Sequence, residues 1–427
     1  MRRVEDRSTP PFGEAVPRRI RRLARPVGPF LLVATAGWLI SSSCDGVGPA
    51  TLSPTPAVIV RISGDGQAGT AGDALAIDPT VEVRGAAGTP MPGIPVRFTV
   101  AGGGALSDTT LMTAADGRAA VGWLLGPDAS IPHALIASVG AVSVTFSATA
   151  ALPVKGEPYF GRNDYVEYIA GDLPLIITAP HGGSLLPDEL PDRTGTNITT
   201  VRDGNTEELA RTIGNVFQAR TGGRPHLIIV RLRRTKIDAN REIVEAAQGN
   251  RLTARAWIEY HSFIEAAKRA VIVGHGSGLY IDLHGHGHDI ERLELGYLLD
   301  QEALALSDAA LDVSRHEEES SIRTLSRASP ASFAELLRGP RSVGGLFEAE
   351  GFSAVPSPAT PNPGGSPYFN GGYNTVRHGS RDGGPISGLQ IESNFTGVRD
   401  TQANRERFAT ALVRVWEQFS AAAARPR

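Results

Sequence analysis

The apolar residues of this 427-residue chain change rhythm near position 150, and no single core can serve both rhythms. Before that point the stretches "AVIVRISG", "PTVEVRGAAG", "IPVRFTVAGGG", "AAVGWLLG", "HALIASVG" and "VSVTFSATA" alternate or run β-branched. Gly, Pro and Asp turns separate them at short, fairly even intervals. Residues 57–150 therefore read as an all-β sandwich. From about Val154, strands alternate with helical periods. "LPLIITAPHGG", "PHLIIVRLRR", "GLYIDLHGHG" and "ISGLQIESN" read as strands, whereas "TEELARTIGNVFQARTG", "TARAWIEYHSFIEAAKRAV" and "ANRERFATALVRVWEQFSAAAA" have helical spacing. Strands separated by helices predict an α/β domain with a mainly parallel or mixed sheet over residues 156–427. The fold class is multidomain, all-β followed by α/β.

Ahead of both units, Arg18, Arg19, Arg21, Arg22 and Arg25 precede the apolar run "GPFLLVATAGWLI" and then "SSSCDG". A charged stretch, a short apolar stretch and small residues have the layout of a secretory signal, and the run is too short to span a membrane comfortably. Cys44, the only cysteine, closes this segment. The arrangement resembles a bacterial lipoprotein signal, which implies that Cys44 is lipidated and becomes the mature N-terminus. A cleaved signal or an N-terminal anchor with an incidental cysteine are the other readings. Residues 1–44 are thus an export segment, and residues 45–56, rich in Pro, Gly, Ser and Thr without a period, are a linker. The expected location is the cell envelope through a lipid anchor, otherwise periplasmic or secreted. A mature part without cysteine has no disulfide to stabilise it. The net charge of −3, with both signs mixed along the chain, gives no extended basic surface, so nucleic acid is not an expected partner.

Parallel sheets gather functional groups where their strands end. The first strand of the second unit delivers His181 in "PHGG", the third delivers Asp282 and His284 in "DLHGHGH", and the late strand delivers Glu392 in "IES". Imidazoles and carboxylates are the ligand types a zinc ion takes. The two-residue period of a strand puts Ile281 and Leu283 on one face and Asp282 with His284 on the other. In "KIDANR", Asp238, Asn240 and Arg241 follow the strand "HLIIVRL". An arginine beside an asparagine there can hold a carboxylate in bidentate fashion or donate to an oxyanion.

Taken in order, "APHGG", "IDANR", "WIEYHSFI", "YIDLHGHGH", "FNGGYNTVRHG" and "LQIESN" resemble the N-formylglutamate amidohydrolase family, over about residues 156–420. That family is related in fold to the zinc carboxypeptidases and aspartoacylase. The resemblance implies a zinc-dependent amide hydrolase in which His181 and His284 are metal ligands, Asn240 and Arg241 bind the substrate's carboxylate, and Glu392 is the general base. Ser184 stands where the carboxypeptidases carry a ligand glutamate. The third ligand is therefore open. Asp203 in "RDGNTEEL" is the candidate, because the amidohydrolases carry an aspartate at about that point; capping of the helix that opens there is the alternative. Asp282 is expected to orient a neighbouring histidine, and Tyr373 to contact substrate or to pack in its loop. In the first unit, "GTPMPGIPVRFTVAGGGALS", "TAADGRAAVGWLLG" and "VTFSATA" resemble the bacterial immunoglobulin-like domains of intimin and invasin, which implies a spacer or adhesion role on a cell surface.

The remaining histidines read as follows. His261, at helical spacing from Trp257 and Ile264, is a packed residue; His286 and His288, beside Gly285 and Gly287, are exposed loop residues; His378 lines the pocket. Residues 351–374, rich in Pro and Gly, are a lid or a disordered insertion. The expected function is an exported Zn2+-dependent amidohydrolase, metallopeptidase-like, that cleaves an amide or peptide bond near a substrate carboxylate. Its partner is a small acylated amino acid, a peptide or a cell-envelope component. The alternative from another class is a surface adhesion or binding protein whose hydrolase-like domain is inactive, to which Ser184 points. A metal-storage or sensing role for "HGHGH" is a third reading.

Overall fold

Alternation of buried and exposed side chains sets how the first strands stack. In the computed structural model, which describes Pro56, residues 58–313 and residues 315–423, Val58–Ser63, Thr80–Arg84 and Arg118–Ala120 form one antiparallel sheet. Gln67–Thr70, Val142–Ala151, His133–Val139, Pro95–Ala101 and Thr110–Met112 form the second sheet, antiparallel except that Gln67–Thr70 pairs parallel with Val142–Ala151. Val81, Val83, Val96, Phe98, Leu135 and Phe146 meet between them and are fully buried, as the sandwich reading requires. "AAVGWLLG" is expected as one strand but is two. Trp123–Leu125 leaves the sheet at Gly122 and pairs with Gly104–Leu106, and every residue from Val121 to Gly126 is buried, so no alternation marks the break. The export segment, residues 1–44, and the linker up to residue 55 lie outside the described residues.

The α/β unit has one eight-stranded sheet. Its strands are β1 (Pro158–Phe160), β2 (Val166–Ile169), β3 (Leu175–Ala179), β4 (His226–Val230), β5 (Gly278–Gly285), β6 (Leu293–Gly296), β7 (Ala354–Val355) and β8 (Ile386–Ser393). Their order is β1-β2-β4-β3-β5-β8-β6-β7. The four central strands β4, β3, β5 and β8 run parallel, whereas β2 and β6 pair antiparallel with this core. The sheet is therefore mixed, with a parallel centre. Those central strands are buried along almost their whole length, the mark of a sheet covered on both faces.

The covering layers follow from helix periodicity. Helix α1 (Thr206–Thr221) ends at Gly222 in the left-handed region, as the sequence suggests. It packs with the closing helix α4 (Gln402–Ala423) against Ile177, Ile281, Leu283, Leu389 and Ile391. Helix α2 (Arg251–His275), capped by the Asn250 side chain, covers the opposite face with Tyr260, Phe263, Ile264 and Ala267. A short helix, α3 (Tyr373–His378), lies next to β8 and β5. Between β6 and β7, residues 301–349 form a run of helices of four to seven residues. Asp300, Ser307, Ser332 and Ser342 cap four of them through their side chains. Such short pieces carry no readable period, so the sequence does not announce them.

The sandwich is fastened to the outer side of α2. Arg251 pairs with Asp108, and Arg269 pairs with Asp128 at 3.0 Å. Gly72, with φ of +79°, brings its backbone so close that an added Cβ would lie 2.8 Å from both Ala266 Cβ and the Ser262 carbonyl oxygen. Gly72→Val combines left-handed strain with overpacking at this seam. We expect it to destabilise the purified protein by about 3 kcal/mol, read as a lowered melting temperature in calorimetry; an unchanged melting temperature would contradict the tight seam.

Candidate metal centre

The α2 side of the sheet carries a polar row where the strands end. Thr178 on β3, Asp282 and His284 on β5, Gln390 and Glu392 on β8 and Glu294 on β6 all point to that face, because their neighbours Ile177, Ile281, Leu283, Ile391 and Leu295 fill the opposite core. His284 stands beside Glu392 in the β5–β8 register, and Glu392 stands beside Glu294 in the β8–β6 register. His181 follows β3 by two residues, and Asp238 and Asn240 lie in the segment after β4. Gly183 lets that crowded turn form, since a Cβ there would sit 2.3 Å from the Arg231 backbone.

Asp203 precedes α1, and its carboxylate does not cap the helix. Asn205 occupies the cap position, and the backbone carbonyl of Asp203 accepts from Thr206. The Asp203 side chain turns inward instead. Its Oδ2 accepts from the Gly285 backbone N–H at 3.2 Å and lies 3.2 Å from His284 Nδ1 and 3.4 Å from His181 Nδ1. The two Nδ1 atoms are 3.1 Å apart.

The far side of each ring decides what those atoms are. His181 Nε2 is 2.7 Å from Asp238 Oδ1, and His284 Nε2 is 2.8 Å from Asp282 Oδ2. A carboxylate only accepts, so both Nε2 atoms carry their protons and both Nδ1 lone pairs converge with Asp203 Oδ2. Three such atoms at 3.1–3.4 Å in a buried pocket call for positive charge there, as a proton on an imidazole or as a metal ion. The edges of a tetrahedron with metal bonds of about 2.0–2.1 Å are about 3.3 Å, which matches all three separations. Two imidazoles and a carboxylate are also the donor set of a catalytic zinc site, and they leave a fourth position open.

The wider electrostatics agree. Asp203, Asp238, Asp282, Glu294 and Glu392 bring carboxyl groups to this buried end of the sheet, against the guanidinium groups of Arg193, Arg234 and Arg399. Burial opposes ionisation of Asp238, yet His181, Arg234 and Arg241 hold it far below the usual carboxylate range. Burial likewise opposes charge on His284, but Asp282, Asp203 and Glu392 hold its imidazole well above the usual histidine value. A proton and a metal ion are thus alternatives for the same negative pocket. Glu392 is pushed up to about 8, first by burial and then by Asp203 and Glu294, with His284 pulling the other way.

The other expected site residues stand as follows. Arg241 is part-exposed at the rim, donates to the Asn240 carbonyl and pairs with Glu245 at 3.3 Å. Asn240 is built into the wall: its Oδ1 accepts from the Asn374 backbone at 2.8 Å, and its Nδ2 is 3.3 Å from His284 Nε2. Tyr373 is half-buried at the start of α3, its hydroxyl accepting from Arg377. Asp282 orients His284, as expected, and is itself held by Thr178 at 2.7 Å. Ser184 is exposed and away from this role. Arg234, which bridges Asp238 and Asp203, is missed by the sequence reading, because residues 234–236 form a turn with no readable period.

Several expectations are corrected. His286 is buried, not exposed: its Nε2 donates to the Arg292 carbonyl at 2.8 Å and its Nδ1 accepts from the His288 backbone at 3.1 Å. His288 is half-buried, stacks on Phe369 and bonds Glu294 at 2.9 Å. His286, His288 and Glu294 lie close enough together to resemble a second ligand group, but His286 has no lone pair left to give. His378 does not line the pocket; it is fully buried at the end of α3, bonded to His261 at 2.9 Å and to Glu265 at 3.2 Å. His261 is packed, stacked between Trp257 and His378. Residues 351–374 are a pinned wall rather than an insertion without structure. β7 pairs with β6, Phe369 N–H donates to Glu294, and Leu298 N–H donates to the Asn370 carbonyl.

Comparison with protein-family models and with curated proteins yields no match. Among solved structures, the chain is similar to N-formylglutamate amidohydrolase from Ralstonia eutropha JMP134, at 13% identity and a TM-score of 0.36, over 60% of this chain and 96% of that one. It is also similar to the D00–D0 domain of intimin, at 19% identity and a TM-score of 0.19, over 25% of this chain and 52% of that one. The Yersinia pseudotuberculosis adhesin InvE gives 15% identity and a TM-score of 0.21, over 28% of this chain and 42% of that one. These are the two kinds of protein whose motifs the sequence resembles. At such scores, what the chain does rests on its own geometry.

If Asp238 and Asp282 set the histidine tautomers, Asp238→Asn and Asp282→Asn should each weaken zinc binding about 10- to 100-fold in a calorimetric titration, while His286→Ala should leave it unchanged.

Proposed function

We propose that this chain is an exported, zinc-dependent amidohydrolase that cleaves an amide or peptide bond next to a substrate carboxylate. The observation that carries the reading is the convergence of His181 Nδ1, His284 Nδ1 and Asp203 Oδ2 within 3.1–3.4 Å, with both rings turned by buried aspartates. Those three residues would hold the zinc ion, which when bound supplies Lewis acidity toward a carbonyl and lowers the pKa of water.

The chain's own residues divide the rest of the work. Glu392, beside His284 in the β5–β8 register, takes a proton from the attacking water in its ionised form, which the charge of a bound zinc ion would favour, and returns it to the leaving nitrogen. The hydroxyl thus adds to the acyl carbon, the C–N bond breaks, and the amine leaves neutral. Arg241, part-exposed at the rim, receives the substrate's carboxylate and fixes the scissile bond over the centre. Arg234 stays tied to Asp238 and Asp203 and holds the ligands' carboxylates in place. Asn240 supports the wall beside His284. Substrates consistent with this arrangement are N-acyl amino acids and peptides, including those of a cell envelope, which the arginine-rich segment, the apolar run and Cys44 favour through export and lipid anchoring. The adhesion reading draws on Ser184, but Asp203 offers the third oxygen by another route.

A panel of N-acyl amino acids and short peptides, followed by amine release, tests the assignment. Glu392→Gln should lower kcat at least about 100-fold with metal content unchanged. Arg241→Ala should chiefly raise KM for substrates bearing a carboxylate. Full activity in Glu392→Gln would remove it from the reaction.

A further inference from the structure

A cavity of about 240 Å³ opens between the sandwich and the α/β unit. Ala105, Leu125 and Pro127 of the sandwich form one wall, and Trp257, Glu265 and Arg377 of α2 and α3 form the other. Neither unit alone encloses it.

Two hydrogen bonds tie the cavity's lining to Arg241 and Tyr373, the residues assigned to substrate contact. Trp257 Nε1 donates to the Arg241 carbonyl at 2.9 Å, and Arg377 donates to the Tyr373 hydroxyl at 3.0 Å. Arg377 is exposed, and its guanidinium lies 5.3 Å from the Trp257 ring and 5.9 Å from the Tyr373 ring. Among the described residues it makes no ion pair. A guanidinium resting on two aromatic faces is held in place, while its remaining N–H edge is free to meet a carboxylate in bidentate geometry. Glu265, in the same cavity, does not compete for it, because its carboxylate is already held by Lys268 at 3.0 Å and His378 at 3.2 Å. The sandwich wall is apolar and uncharged. The cavity therefore offers one unpaired cation, an aromatic floor and an aliphatic wall.

We infer that this cavity is a substrate subsite, that it receives the acidic residue of a peptide extending beyond the scissile bond, and that the sandwich is part of the substrate-binding surface. The inference rests on the hydrolase reading and narrows its substrate class to acidic oligopeptides, with the carboxylate on Arg377 and the stem of the residue against Ala105 and Leu125.

The test uses the zinc-loaded full chain, with N-acetylalanine and N-acetylated peptides of two to five residues carrying glutamate or glutamine at each position in turn. The expected result is a kcat/KM at least tenfold higher for one glutamate position than for its glutamine counterpart and for N-acetylalanine. Arg377→Gln should erase the glutamate-over-glutamine preference. Ala105→Trp, which fills the cavity from the sandwich side, should reduce the ratio of long to short substrates at least tenfold, with its melting temperature confirming that it folds. Equal rates on long and short substrates, or a preference that survives both variants, would overturn the subsite and leave the hydrolase reading standing. Absence of hydrolysis on every substrate would overturn both.

Discussion

Two buried hydrogen bonds set the geometry of the candidate centre. Asp238 and Asp282 each accept the Nε2 proton of one histidine, at 2.7 and 2.8 Å, and so turn two Nδ1 lone pairs toward each other and toward Asp203. Without those aspartates the rings could adopt the other tautomer, and His181 and His284 would make an ordinary imidazole pair. With them, the pocket is an anion-rich cavity that a proton or a metal ion must complete. The tautomers are held from opposite directions, Asp282 from within β5 and Asp238 from the segment after β4, so the centre depends on the parallel pairing of β4, β3 and β5.

That dependence explains why the surrounding structure is stiff. Arg234 and Arg193 secure Asp238 from the loop side, Thr178 secures Asp282 from β3, and the Pro/Gly-rich segment is stitched to β6 and to Asn240. A ligand set with separations near 3.3 Å tolerates little drift before it ceases to be tetrahedral. The sandwich adds a second layer of restraint by docking on α2, whose inner face packs under the polar row.

Much of this was readable in the sequence, for definite reasons. The period of two along "YIDLHG" puts Asp282 and His284 on one face opposite Ile281 and Leu283, and they stand there. The helical periods of α1, α2 and α4 are long enough to read. Other features have no local signature. Asp203 sits before a helix where a cap and a ligand look alike, and only the chain's return through Gly285 distinguishes them. His286 and His288 are flanked by glycine, which reads as an exposed turn, yet the Arg292 carbonyl and Phe369, distant in the chain, bury them. The contact of His378 with His261 spans more than a hundred residues, and the seam at Gly72 depends on a helix in the other unit.

X-ray absorption at the zinc edge of the purified chain tests the central claim most directly. The account predicts one zinc per chain in a nitrogen and oxygen shell at about 2.0–2.1 Å with two imidazoles, and loss of that signal in His284→Ala but not in His286→Ala. No bound zinc, or a two-imidazole signal that survives His284→Ala, would contradict it.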